Sequence, residues 1–229
     1  MLRSFLPDHV YWIALYDAVL KVPKSGGPAV VVASLSTGAQ NVAVDDESVY
    51  MGEWGSEEVD GFAKIVKAPK TGGALTDVAQ AKNGVDVVAT DAASVYWINK
   101  GRRNLVYKVS KAGGSPVELF DAGEADTGAY RILTSDTDVI WLNKRGVNKG
   151  SKDGGPPVLL HLAGQAKDIA LDSANVYWTA WGSCIMTSPL TGGEPTVIAE
   201  EQSGPQTIAV DASHVYWINY DGTVMKAPR

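Results

Sequence analysis

A short apolar triplet, Val-Tyr-Trp or a close variant of it, returns six times along the 229-residue chain: Val10-Tyr11-Trp12, Val49-Tyr50-Met51, Val95-Tyr96-Trp97, Val139-Ile140-Trp141, Val176-Tyr177-Trp178 and Val215-Tyr216-Trp217. Successive copies lie 37 to 46 residues apart. That period belongs to propellers, solenoids and arrays, in which one small unit buries its apolar faces only against its neighbours. The reading that follows is one repeat-built domain over residues 1–229.

Aligned on the triplet, each unit reads as a short apolar run ending in Asp, the triplet, a Val/Ile-x-Lys segment, a Gly-Gly pair and a last apolar run. All four segments have the length and composition of strands. The first, as in Asn41-Val42-Ala43-Val44-Asp45, keeps a small residue at its third position (Ala43, Ala89, Thr134, Ala170, Ala209), which suits a strand crowded near an axis. In the third, lysine and proline, as in Val66-Lys67-Ala68-Pro69 and Met225-Lys226-Ala227-Pro228, mark the wetter, outer half of a unit. Gly26-Gly27, Gly72-Gly73, Gly113-Gly114, Gly154-Gly155 and Gly192-Gly193 supply a tight reversal into the fourth strand. No helix follows these pairs, which argues against a phosphate-binding loop. Together the features predict an all-β fold, a six-bladed β-propeller of four-stranded antiparallel blades whose last blade lacks its outer strand. Trp12, Trp97, Trp141, Trp178 and Trp217 share one column and are expected to pack between blades.

Composition narrows the partners. Apolar residues make up 45% of the chain and charged residues 20%, enough for a core and outside the disordered class. No apolar run approaches the roughly 18 residues of a membrane span, and the opening Met-Leu-Arg-Ser-Phe-Leu-Pro-Asp is too soon broken to read as a signal peptide. A net charge of −6 with interspersed signs lacks the positive potential that draws nucleic acid or anionic membrane. Cys184, the sole cysteine, excludes an internal disulfide and is expected to be a small buried side chain.

The columns, best displayed by Tyr96-Trp97-Ile98-Asn99 and Tyr216-Trp217-Ile218-Asn219, resemble the YWTD repeat of low-density-lipoprotein-receptor propellers and related repeats of bacterial secreted propellers. Where that pattern has Asp, this chain has Asn99, Asn143 and Asn219 but Ala14, Glu53 and Ala180 elsewhere, so a family hydrogen-bond network there would be incomplete. The resemblance implies a six-bladed binding module in a secreted, periplasmic or cell-surface protein, and no reaction.

Departures from the repeat point to the face that carries function. Blade strands alternate in direction, so the turn between strands two and three shares a face, the top, with the connector to the next blade. The second blade carries the long insertion Glu53-Trp54-Gly55-Ser56-Glu57-Glu58-Val59-Asp60-Gly61-Phe62, the third Lys100-Gly101-Arg102-Arg103-Asn104, and its connector Gly123-Glu124-Ala125-Asp126-Thr127-Gly128. Trp54, Trp181 and Tyr220 stand three residues after the Trp column, and with Glu53, Arg102 and Arg103 they are the candidate ligand-binding residues of this face. An aromatic platform beside mixed charge suits a protein, a peptide or a glycan. Packing over the blade tops is the structural alternative.

A second candidate is the channel mouth, where the innermost strands begin with Arg3, Gln40, Asp86, Arg131, Lys167 and Gln206, with Asn41 and Asp168 one step further in. The mixed ring suits a small polar or zwitterionic ligand, or merely channel water. Six-bladed metal-dependent lactonases place carboxylate and Asn ligands in such a channel, and Asp86, Asp168 and Asn41 are the residues of suitable type. Arg131 and Lys167 beside them oppose a cation. The acidic loop Glu57-Glu58-Val59-Asp60 is the better composed for Ca²⁺, although charge runs on loops are ordinarily just solvated. No nucleophile motif, His-Glu-x-x-His helix or His-carboxylate pairing is visible. The expected function is a non-catalytic module without cofactor or metal that recognises a protein, peptide or glycan. The alternatives are a lactonase-like hydrolase and a purely structural scaffold.

The last unit stops at Lys226-Ala227-Pro228-Arg229, before its Gly-Gly pair. An exposed edge over Thr223 to Ala227 is expected, either blunted by Lys226 and Pro228 or extended by a partner's strand.

Overall fold

The computed structural model describes residues 3–5, 8–53, 62–82, 84–99, 103–124, 128–180 and 183–229. Six antiparallel sheets make up the chain, five of four strands and the last of three, and the fold class is that of a six-bladed β-propeller. They divide between two compact units, Met1–Asp126 and Thr127–Arg229. No helix among the described residues is long and apolar enough to cross a membrane.

The first unit holds three blades. Blade 1 comprises β1 (Arg3–Phe5), β2 (His9–Ala14), β3 (Ala18–Pro23) and β4 (Val30–Ser34); blade 2 comprises β5 (Val42–Val44), β6 (Ser48–Gly52), β7 (Phe62–Pro69) and β8 (Thr76–Lys82). Blade 3 is β9 (Val85–Thr90), β10 (Ser94–Asn99), β11 (Arg103–Ser110) and β12 (Val117–Glu124). In the second unit, blade 4 is β13 (Ala129–Thr134), β14 (Asp138–Asn143), β15 (Gly146–Ser151) and β16 (Val158–Leu162), and blade 5 is β17 (Ile169–Leu171), β18 (Asn175–Ala180), β19 (Cys184–Pro189) and β20 (Thr196–Ala199). Blade 6 has only β21 (Pro205–Val210), β22 (His214–Asn219) and β23 (Val224–Pro228).

Each second strand carries the triplet into the core because both of its faces are covered. Trp97, Trp141, Trp178 and Trp217 are buried, with Met51 in the same place, as are Val49, Val95, Val139, Val176 and Val215 one strand pleat away. Trp12 and Val10 are only half-buried. Within each unit, a preceding blade supplies cover to the one after it. In the first unit, Val32 and Ala33 of β4 join a cluster with Val49 and Met51 of blade 2, and Val78 and Ala79 of β8 join one with Val95 and Trp97 of blade 3. In the second, Ile198 of β20 packs on the cluster that contains Ile208, Val215 and Trp217 of blade 6.

The Gly-Gly pairs all lie at left-handed φ, as the turn into the fourth strand requires. Gly146 is under tighter constraint: at φ 150°, a Cβ there would stand 2.0 Å from the carbonyl oxygen of His161 on β16.

Two expectations change. Lys21, Lys67 and Lys149 are half-buried rather than wet. Each sends its ammonium into the following blade, to the carbonyl oxygens of Lys70 (2.7 Å), Lys111 (2.9 Å) and Leu190 (2.8 Å). The physical reason is reach: a lysine on the third strand spans the gap to the neighbouring turn, where carbonyls lack a ladder partner. Cys184 is half-buried, because it opens β19 at the blade's end instead of lying within it.

Candidate binding surface

The repeat places three sets of polar or exposed residues at fixed positions, and geometry separates those that hold blades together from those that face outward.

The first set lies at the turn from strand one to strand two. Asp45 accepts the Glu47 and Ser48 amides on Oδ1 and the Tyr50 hydroxyl on Oδ2, at 2.8, 2.7 and 2.9 Å. Asp91 with Tyr96, Asp172 with Tyr177 and Asp211 with Tyr216 repeat this arrangement. In blades 2 and 5 a cation from the next blade completes it: Lys111 Nζ stands 2.5 Å from Asp45 Oδ2, and Arg229 donates to Asp172 Oδ2 at 2.6 Å. Blade 4 replaces Tyr by Ile140 and Asp by Ser135, and the following blade replaces the cation by Leu190, which is buried in an apolar cluster. All three members change together, so the set acts as one latch. Burial would raise the Asp45 carboxyl, but hydrogen bonds from Lys111, the two amides and Tyr50 outweigh it and hold the group below its ordinary value. Tyr50 moves up, through burial and then through its bond to the Asp45 carboxylate.

A cleft of about 720 Å³ opens between blades 2 and 3, lined by Asp45, Tyr50, Lys67, Asp91 and Lys111 among others. Lys111 pairs with Asp45 there and Lys67 donates to the Lys111 carbonyl, contacts that tie the two blades together across the cleft.

The second set is the innermost strand. Asn41 Oδ1 accepts the Val88 amide of the next blade at 2.9 Å. Asp168 occupies the equivalent place in blade 5, accepting the Ile169 amide on Oδ1 and the Thr207 hydroxyl and Ile208 amide of blade 6 on Oδ2. Arg131 Nε lies 3.5 Å from Asp168 Oδ1. Asn41 and Asp168 are buried, Asp86 and Arg131 half-buried, and Gln40, Lys167 and Gln206 exposed. Arg3 contributes its backbone to β1, opposite Trp12. Among the described residues no three His, Cys, Asp or Glu side chains gather as a metal site would need.

The third set is the hairpin end of each blade. The Asn column caps the turn between strands two and three: Asn99 Oδ1 accepts the Leu105 amide, and Asn143 Oδ1 accepts those of Arg145 and Gly146. Glu53, expected to face a ligand, is buried and accepts from Ser36 Oγ at 3.4 Å, because its own amide is drawn into the sheet by the Lys64 carbonyl. Arg103 is exposed and grips Asp121 on the neighbouring strand through Nε and Nη2. Tyr220 is 83% exposed. Trp54, Trp181 and Arg102, and the acidic run Glu57-Glu58-Val59-Asp60, lie outside the described residues.

The column shared by Trp54, Trp181 and Tyr220 holds Leu15 in blade 1, which sequence reasoning passed over. Leu15 is 87% exposed and its neighbour Tyr16 58%. Both lie at left-handed φ, 49° and 68°, in a turn closed by the Asp17 amide on the Ala14 carbonyl. Reading that column through blade 1 as well as blades 2, 5 and 6 would have found it.

Scanned against models of known protein families the chain matches none, and no curated protein matches it. Solved structures do. A chain from the crystal structure of a nidogen/laminin complex superposes with a TM-score of 0.72 at 18% identity, over 96% of this chain and 89% of that one. A Bacteroides thetaiotaomicron protein of unknown function gives a TM-score of 0.70 at 14% identity, over 98% of this chain and 68% of that one. BamB from Moraxella catarrhalis gives 0.64 at 14% identity, over 99% and 69%. At these identities the likeness establishes the propeller fold alone.

Proposed function

We propose that this propeller is a non-catalytic module that binds a protein or peptide through the hairpin ends of its blades. The observation that carries the reading is the Leu15-Tyr16 turn. A left-handed residue other than Gly costs roughly 1–2 kcal/mol, and hairpin turns of this kind favour Asn-Gly. Placing a leucine there with 87% of its surface in water adds exposure to strain. Neither helps the isolated fold, so contact with a partner is the natural offset. Tyr220 repeats the exposure in blade 6.

Support of a coarser kind comes from the nidogen/laminin complex, an assembly between proteins that includes a chain of similar fold. The similarity of the Tyr-Trp columns to YWTD repeats points the same way and extends the reading to a secreted, periplasmic or cell-surface protein.

The test is an array of extracellular proteins and peptides probed with the wild-type chain, the double variant L15N/Y16G and Tyr220→Ser, with a glycan array in parallel. A protein or peptide signal lost in either variant, with the fold unchanged by circular dichroism, supports the proposal. Signals indifferent to both variants, or confined to glycans, would sink it.

A further inference from the structure

In each unit the hairpin ends are of two kinds. Those with an exposed Leu or Tyr carry an acid and no base: Asp17 follows Leu15 and Tyr16, Asp221 follows Tyr220, and neither 14–18 nor 219–223 contains Lys or Arg. The other kind carries bases and exposes no large apolar side chain among its described residues. Blade 3 has Arg103 exposed there, and blade 4 has Lys144 and Arg145.

The blade 6 end is the more fully built. The connector that enters this blade, residues 199–207, adds the exposed Glu200 and Glu201 and again no base. Gln202 fixes it on three sides: its amide donates to the Ser183 carbonyl at 2.8 Å, its Nε2 donates to the Glu200 carbonyl at 2.7 Å, and its Oε1 accepts from Trp217 Nε1 at 2.9 Å. The Tyr220 amide is shared by the Ser203 and Gly204 carbonyls, 3.0 Å from each, which seats the hairpin against the connector. A Cβ on Gly204 would stand 3.6 Å from Tyr220 Cβ, so the connector runs beside the root of a side chain whose residue is 83% exposed. The Thr223 hydroxyl and amide, at 2.7 and 2.9 Å, and then Ser203 hold the Asp221 carboxyl below its ordinary value, which keeps it charged. Because Asp221 takes the Thr223 amide, Asn219 does not cap the turn as Asn99 and Asn143 do. It is buried in the same turn, and its Oδ1 has no donor among the described residues.

We infer that this end of blade 6 seats an arginine of the partner polypeptide, its guanidinium stacked on the Tyr220 ring and its donors shared among the carboxylates of Asp221, Glu200 and Glu201. The inference rests on the reading that hairpin ends bind a protein or peptide, and it names the chemistry of the bound segment. A guanidinium is flat, always charged and rich in donors, so it can use an aromatic face and carboxylates together. A neutral sugar would use the ring and gain nothing from three charges. Holding the acids on a connector fixed by Gln202 lowers the ordering cost of binding.

Random dodecapeptides displayed on phage and selected on the 229-residue chain are the probe. Peptides whose binding is lost in Tyr220→Ser are expected to contain arginine. Replacing that arginine by citrulline, its neutral isostere, is expected to weaken binding at least about fivefold, and so is the double variant E200Q/E201Q. The blade 4 variant K144Q/R145Q is expected to bind as wild type does. Tyr220-dependent peptides without a basic residue, or equal binding after either charge-removing change, overturn the inference and leave the hairpin-end reading standing. Peptides that depend on Leu15 and Tyr16 but never on Tyr220 do the same. A selection that yields nothing sensitive to either turn removes both. The citrulline comparison alters only the peptide, so a misfolded variant cannot produce its result.

Discussion

Lys111 on the turn after β11 sits 2.5 Å from the carboxylate of Asp45, a residue 66 positions earlier in the chain, with its ammonium 5.5 Å from the centre of the Tyr50 ring. Asp45→Asn and Lys111→Met should each lower stability by about 1.5–3 kcal/mol, the usual loss for a hydrogen bond to a charged group that is largely shielded. Chemical denaturation measures it. The sign with pH follows from the carboxyl being held below 3.8 in the folded state: its contribution is full above that value and fades as pH falls through the folded value. The acid limb of a stability–pH curve should therefore flatten in Asp45→Asn.

Asn41→Ala should cost about 1–3 kcal/mol by leaving the Val88 amide buried without an acceptor. Asp168→Ala should cost more, since the Ile169 and Ile208 amides and the Thr207 hydroxyl all lose theirs. Urea denaturation distinguishes this from a ligand role, which would leave the stability of the unliganded chain near wild type.

His161 stacks on Trp178 at 5.2 Å, and its Nε2 lies 2.6 Å from the buried Ser188 hydroxyl. Burial holds it below its ordinary value of 6.5, against a smaller upward pull from Glu194. A depressed histidine favours folding while neutral, so stability present above about pH 6.5 is lost as pH falls below it. Thermal melts across that range should show the decline in wild type and its removal in His161→Phe, which keeps the stacking and cannot be protonated.

Gly146→Ala should lower stability by at least about 3 kcal/mol, because a Cβ 2.0 Å from the His161 carbonyl forces β15 and β16 apart. Gly155→Ala, at left-handed φ but with open space around it, should cost only about 1 kcal/mol. Melting temperatures of the two variants side by side separate crowding from backbone strain.

The double variant L15N/Y16G should be more stable than wild type by roughly 1 kcal/mol, since it puts turn-forming residues at left-handed φ. Stability gained together with binding lost is the signature of residues kept for a partner.

The period of Val-Tyr-Trp by itself determined the blade count, the strand order within each blade and the burial of Trp97, Trp141, Trp178 and Trp217, because side-chain periodicity and turn chemistry are local and recur in register. The three-stranded last blade was equally legible, from the missing Gly-Gly pair. Tertiary structure alone decided which polar residues were free to act. Asp45 reads as the end of a strand and Lys111 as part of a wet turn until folding brings them to 2.5 Å. Asn41 and Asp168 read as channel ligands until their oxygens meet amides of the next blade. Glu53 reads as part of an exposed loop until its amide is drawn into the sheet. Contacts between blades join residues that local sequence does not pair, as with Lys21 and the Lys70 carbonyl, 49 positions apart. A sequence states such partners only through their joint replacement, as with Ser135, Ile140 and Leu190.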